Sequence, residues 1–252
     1  MSARRRVAAA GVAALAVFAA LAPRLAAAAP AAPPAAPAAS PGLSLLLSVA
    51  AVSLLPFLFL SLTSFVKIST VLQITKSAIG AQSVPSSTVI LALSGALTLL
   101  AMAPTATAVF DRAAPVLAEN PQGPEAIVKV AAAAKEPMRT FLQQNASERE
   151  VARFLTVAKT SPTPSAAAVE KSDLSVLAPA FVVTELTEAF AIGFLIFLPF
   201  LVIDLVVANV LASLGLQTLS VSQVSLPFKL LLFVSVDGWG LLAQALVLGY
   251  RH

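Results

Sequence analysis

Between Leu174 and Gly249 the chain is almost wholly apolar and carries five charges: Glu185, Glu188, Asp204, Lys229 and Asp237. A charge inside an apolar helix is expensive unless it is paired or faces water, so each of the five asks for a partner. Lys229 is the only cation among them. Glu185 and Glu188, at i and i+3, share one helix face and can neutralise it within a subunit or between copies. Two chemistries suit such a set. One is a buried ion pair that fixes an assembly, which we favour; the other is a proton or ion relay in an ion-coupled multi-helix transporter using Glu185, Glu188 and Asp204. Asp204 and Asp237 on separate helices suggest an intramembrane aspartyl protease only weakly, since the Gly-x-Gly-Asp motif is missing. The one histidine is His252, cysteine is absent, and no His/Cys/Asp cluster has metal-ligand spacing. No catalytic residue, cofactor or metal is therefore expected, and the chain does not read as an enzyme.

The elements that must position these charges are hydrophobic helices. Of 252 residues, 58% are hydrophobic and only 11% charged, where soluble domains carry about a quarter. That implies a membrane protein. Four of the sixteen Lys and Arg residues (Arg4, Arg5, Arg6 and Arg24) precede residue 25, which leaves twelve basic against twelve acidic groups. No basic cluster remains for a nucleic-acid partner. Residues 1–28 read as a signal peptide, with a basic start, an apolar stretch from Val7 to Ala22, and small residues permitting cleavage after Ala28. Residues 29–42, rich in Pro and Ala, form an extended tether because proline lacks the amide donor and fixes φ.

Residues 43–110 read as a first hydrophobic helical hairpin. Its first span, Leu43 to Val66, is uncharged and at 1.5 Å per residue covers about 36 Å, with Pro56 as a kink. Its second helix is expected at about Thr88 to Phe110, after a Val84-Pro85-Ser86-Ser87 turn. Lys67 and Lys76 are the only charges between them, so the positive-inside rule makes this a short cytoplasmic loop. Residues 111–173 change character, with eight acidic and eight basic residues among alanines. They read as a soluble helical insert, placed in the periplasm by the same topology. Within it Ser147-Glu148-Arg149-Glu150 fits a capping box, predicting a helix from Glu148 to about Ala158 with an apolar stripe of Val151, Phe154, Leu155 and Ala158. Residues 174–252 form a second hydrophobic region. Pro199, Gly215 and Pro227 are expected to divide it into a long broken helix, a polar linker around Gln217, and a last helix from about Leu226 to Leu248.

Several ordered motifs resemble the FliP/SctR (YscR) family of type III export proteins. They include Pro179-Ala180-Phe181, followed by Val182-Val183-Thr184-Glu185-Leu186 and Ile192-Gly193-Phe194, and Leu226-Pro227-Phe228-Lys229 before Val236-Asp237-Gly238-Trp239. Thr63-Ser64-Phe65 with Lys67-Ile68, Leu55-Pro56-Phe57 and Leu198-Pro199-Phe200 also match, so the resemblance spans about Leu43 to Gly249. It implies an all-α integral membrane protein with about four hydrophobic helices arranged as bent hairpins. It also implies a core channel subunit of a secretion or flagellar export gate in the bacterial inner membrane. The implied partners are further copies in a pentamer, FliQ/SctS-like and FliR/SctT-like subunits, other export-apparatus proteins, and unfolded secreted proteins as cargo. By resemblance, Glu185 and Lys229 form an intersubunit ion pair. The family commonly has a methionine run as a flexible pore gasket. Here the corresponding stretch is Leu216-Gln217-Thr218-Leu219, so any sealing falls to Leu216 and Leu219.

Overall fold

The computed structural model describes residues 53, 57, 60–80, 85–118, 124–160 and 169–250. The expected signal peptide, the tether and most of the first span lie outside them. Among the described residues there are eight helices and no strand. In chain order these are α1 (Phe65–Ile79), α2 (Ser87–Ala101), α3 (Ala103–Ala118), α4 (Pro124–Asn145), α5 (Glu148–Thr160), α6 (Leu174–Ser213), α7 (Val221–Ser235) and α8 (Gly238–Leu248). They fall into two compact units, one including residues 99–181 and the other Ser64–Thr98 with Val182–Arg251.

In the first unit α3 and α4 pack along each other. Phe141 of α4 meets Phe181 of α6 edge to face, with ring centroids 5.5 Å apart, and both rings are buried. This is the favoured geometry for two ring quadrupoles. The hydroxyl of Ser147 accepts the Glu150 amide at 3.3 Å, which starts α5, and the Glu150 carboxylate takes two bonds from Arg153 at 3.0 and 2.9 Å. Val151, Phe154, Leu155 and Ala158 are half-buried, while the residues between them on α5 are exposed. The narrow stripe read from the sequence is thus the covered face of the helix.

The second unit holds the five charges. Its core is Ala78 and Ile79 of α1, Phe200 of α6 and Phe233 of α7, with Ile196, Leu226, Leu232, Trp239 and Leu242 packed around them. Ile68, Val71, Leu72, Thr75, Ala78 and Ile79 bury one face of α1, the i, i+3, i+4 pattern of an amphipathic helix. Gly80 ends it in the left-handed conformation at φ 80°, its amide bonded to the Ser77 carbonyl. A close approach joins α1 to α6, since a Cβ on Gly193 would lie 2.6 Å from Ile74 Cδ1.

Four expectations are corrected. The segment with Lys67 and Lys76 is no loop but part of α1, and Lys67 is buried; its apolar neighbours one turn away continue the helical period. The expected Thr88–Phe110 helix is two helices bent by 62° around Met102. Pro104 explains the break, because its ring would clash with the Leu100 carbonyl and it supplies no amide, whereas in the first turn of α3 neither matters. Pro199, by contrast, does not break α6, which runs uninterrupted for 40 residues. Packing along the helix, with Gly193 close against Ile74 and Phe200 in the core, holds it together past one lost bond. The last helix, expected from Leu226, is α7 and α8, bent by 57°. Alone, α6 is long and apolar enough to cross a membrane, and counting each bent pair as one span gives up to three among the described residues.

Candidate functional site: two ion-pair networks

The first network forms where α1, α6 and the residue two beyond α8 meet. Glu185 is wholly buried, and Lys67 Nζ lies 2.8 Å from its Oε1 and 2.7 Å from Glu188 Oε2. The Tyr250 hydroxyl donates to Glu185 Oε2 and lies 3.3 Å from the Ser64 carbonyl. The Lys67 ammonium also sits 4.5 Å from the centroid of the Tyr250 ring, a cation–π contact that is strongest when desolvated. Both oxygens of Glu185 are therefore engaged, one by a cation and one by a hydroxyl. A buried carboxylate is tolerated on those terms.

The second network joins α6 to α7. Lys229 Nζ is 2.7 Å from Asp204 Oδ2, and the Ser225 hydroxyl donates to Asp204 Oδ1 at 2.6 Å. Lys229 also donates to the Ala78 carbonyl at 3.3 Å. That carbonyl belongs to the last turn of α1, where carbonyls lack intrahelical partners and the helix dipole favours a cation. One lysine so ties three helices.

These pairings differ from the sequence reading. Within the chain Glu185 and Lys229 do not neutralise each other, because Lys67 takes Glu185 and Glu188 while Lys229 takes Asp204. Nor are all the expected buried charges buried in the chain: the side chain of Glu188 is 52% exposed, that of Asp204 31%, and Asp237 is exposed. Lys67 and Tyr250 were missed as members. Lys67 carried a readable signal, since it lies one turn before Val71 on the apolar face of α1. Tyr250, the only tyrosine, carried none.

The remaining sequence candidates fall in place around these ties. Leu216, Gln217, Thr218 and Leu219 lie exposed in the turn between α6 and α7. That turn begins with Gly215 at φ 70° and with bonds from the Leu216 amide to the Leu211 carbonyl and from Gly215 to Ala212, a Schellman ending. Pro179 is half-buried in the second turn of α6 and Phe181 wholly buried. Pro227 lies inside α7. Gly238 lies against Phe233, and Trp239 meets the same ring edge to face at 5.1 Å. Among the described residues no group of His, Cys, Asp and Glu is arranged to hold a metal ion.

The chain is 44% identical over 211 residues, 83% of its length, to the "Pathogenicity-related ORF2" of Xanthomonas campestris pv. glycines, covering 97% of that protein. It is 43% identical over 82% of its length to the "Hypersensitivity response secretion protein HrcR" of Ralstonia nicotianae, covering 97% of it. To the "Flagellar biosynthetic protein FliP" of Caulobacter vibrioides it is 42% identical over 81% of its length, covering 74%. The FliP family matches residues 48–246, a stretch that contains both networks except Tyr250. The chain belongs to the FliP family.

Proposed function

We propose that this chain is a core channel subunit of a type III protein-secretion export apparatus, of the injectisome or flagellar kind, forming the inner-membrane gate through which unfolded substrates pass. The observation that carries it is the match over residues 48–246, with relatives named for secretion and for flagellar biosynthesis at 42–43% identity. The geometry agrees with such a role. Four of the five sparse charges in the apolar block are turned to partners within the chain, while α6 presents Phe190, Phe194, Leu201 and Leu205 outward. An apolar exterior of that kind suits lipid or neighbouring subunits rather than water. A conduit for unfolded chains needs no catalytic residue. The ion-coupled transporter weighed above gains nothing from these relatives.

In this reading several copies close into a ring, five by resemblance, together with FliQ/SctS-like and FliR/SctT-like subunits. Residues 111–173 then form a periplasmic insert between hydrophobic regions 43–110 and 174–252, after a signal peptide (1–28) and tether (29–42). The exposed Leu216–Leu219 turn lines the passage. Native mass spectrometry of the protein in mild detergent, alone and coexpressed with neighbouring membrane-protein genes, tests this. A closed oligomer that takes up small hydrophobic subunits is expected; a monomer that ignores them overturns the reading.

A further inference from the structure

Two observations meet where α7 gives way to α8. Asp237 is the one non-glycine residue with positive φ among the described residues, at φ 52° and ψ 48°, a region costly for residues with a Cβ. Of the two glycines that follow, Gly238 fills a place that excludes a side chain, and Gly240 one where a side chain would displace the Asp237 carboxylate. A Cβ on Gly238 would lie 2.2 Å from Cε2 of Phe233, and one on Gly240 would lie 2.4 Å from Asp237 Oδ2. The Asp237 amide bonds to the Val234 carbonyl at 3.1 Å and the Leu241 amide to the Asp237 carbonyl at 3.0 Å. Between these, the amides of Gly238, Trp239 and Gly240 open α8 and have no intrahelical carbonyl.

The bend is thus held by aromatic packing against backbone cost. Phe233 has Phe200 at 6.3 Å between centroids, which joins α7 to α6, and Trp239 at 5.1 Å across the bend; the second is the contact that the bend supplies. If Asp237 returned to right-handed helix, the three amides would regain the carbonyls of Val234, Ser235 and Val236. The strain at Asp237 would also vanish. Val221 to Leu248 would then be one helix of about 42 Å, longer than the hydrocarbon core of about 30 Å, and α7 with α8 are apolar enough to count as one span. Lipid favours that form, since unpaired amides are most costly there.

We propose that Asp237–Gly240 is a two-state hinge: bent when Phe233 is packed between Phe200 and Trp239, and straight when α7 and α8 cross a bilayer as a single helix. The inference stands apart from the export role, because it rests on the backbone and ring geometry of this bend and on the apolar length of α7 with α8.

The chain has no cysteine, so Gln223→Cys and Leu248→Cys, both at exposed positions, give two clean spin-label sites. Pulsed electron spin resonance on the full chain then reads the distance across the hinge, which a 57° bend shortens by about 4 Å relative to a straight helix. The expected result is the short distance in detergent and an added long component in lipid bilayers. Gly238→Ala, whose methyl collides with Phe233, is expected to shift the population to the long distance in both. Asp237→Gly removes the left-handed cost and is expected to reduce the long component in bilayers several-fold. A single short distance in wild type and in Gly238→Ala overturns the hinge, as does an Asp237→Gly protein whose long fraction in bilayers is unchanged. Should Gly238→Ala fail to fold, the Asp237→Gly comparison decides.

Discussion

At the scale of single residues the two lysines make unequal ties. Lys67 and Glu185 are both buried, so Lys67→Ala strands a carboxylate with only the Tyr250 hydroxyl and is expected to cost about 3–5 kcal/mol. Lys229→Ala leaves Asp204, which is part exposed and keeps Ser225, so its cost in the isolated subunit should be smaller. Glu188→Ala, at a half-exposed side chain, should cost under about 1 kcal/mol. Unfolding in detergent should rank the variants in that order. If Lys229→Ala is instead the most damaging, and only in the oligomer, then Lys229 reaches Glu185 across the subunit boundary, as the family resemblance implies. Lys67→Met with Glu185→Leu should recover much of the loss, because an apolar pair avoids desolvating charge. That Glu185 and Lys229 would each need a partner was legible in the sequence, since a charge in an apolar block is costly alone. Which lysine meets which carboxylate was not, because the choice depends on where α1 crosses α6, and the positive-inside rule places Lys67 in a loop.

Among elements, the helix class was legible throughout, whereas the breaks were not equally so. Pro104 and Pro199 look alike in the sequence, yet one ends a helix and the other lies within it. The difference lies in what surrounds each: the chain turns at Met102 and Pro104 falls in the first turn of the next helix, while Pro199 lies between Gly193 against Ile74 and the buried Phe200, which hold the helix on course. Gly215 was read correctly as a boundary because its left-handed φ is a local property. Gly193 illustrates the opposite limit. Its place in a motif was visible but its reason was not, since the reason is Ile74, more than a hundred residues earlier in the chain. Gly193→Ala should therefore cost about 1–3 kcal/mol through overpacking, and Gly193→Ala with Ile74→Ala should recover part of that. Thermal unfolding of the single and double variants checks this, and a neutral Gly193→Ala would show that α1 and α6 can part without penalty.

For the whole molecule, the informative contrast lies along α6 itself, where chemically alike residues have opposite fates. Phe181 is wholly buried and Phe194 is 62% exposed, so a lysine has different consequences at each. Phe181→Lys puts an unpaired ammonium into a packed core, where burial without a partner is prohibitive, and no folded protein is expected. Phe194→Lys leaves both ion-pair networks untouched, and the long lysine stem can lie along the helix while its head seeks water. The subunit should fold with its helix content unchanged. If the outer face of α6 meets a neighbouring copy, as proposed for a ring, the same lysine must be desolvated there without a carboxylate, and native mass spectra should show folded monomer in place of oligomer. A Phe194→Lys protein that still closes its ring would mean that this face looks to lipid or to the passage instead. The ring contacts would then have to be sought on the outer faces of α7 and α8, where Leu231, Val234 and Leu248 are the most exposed apolar residues.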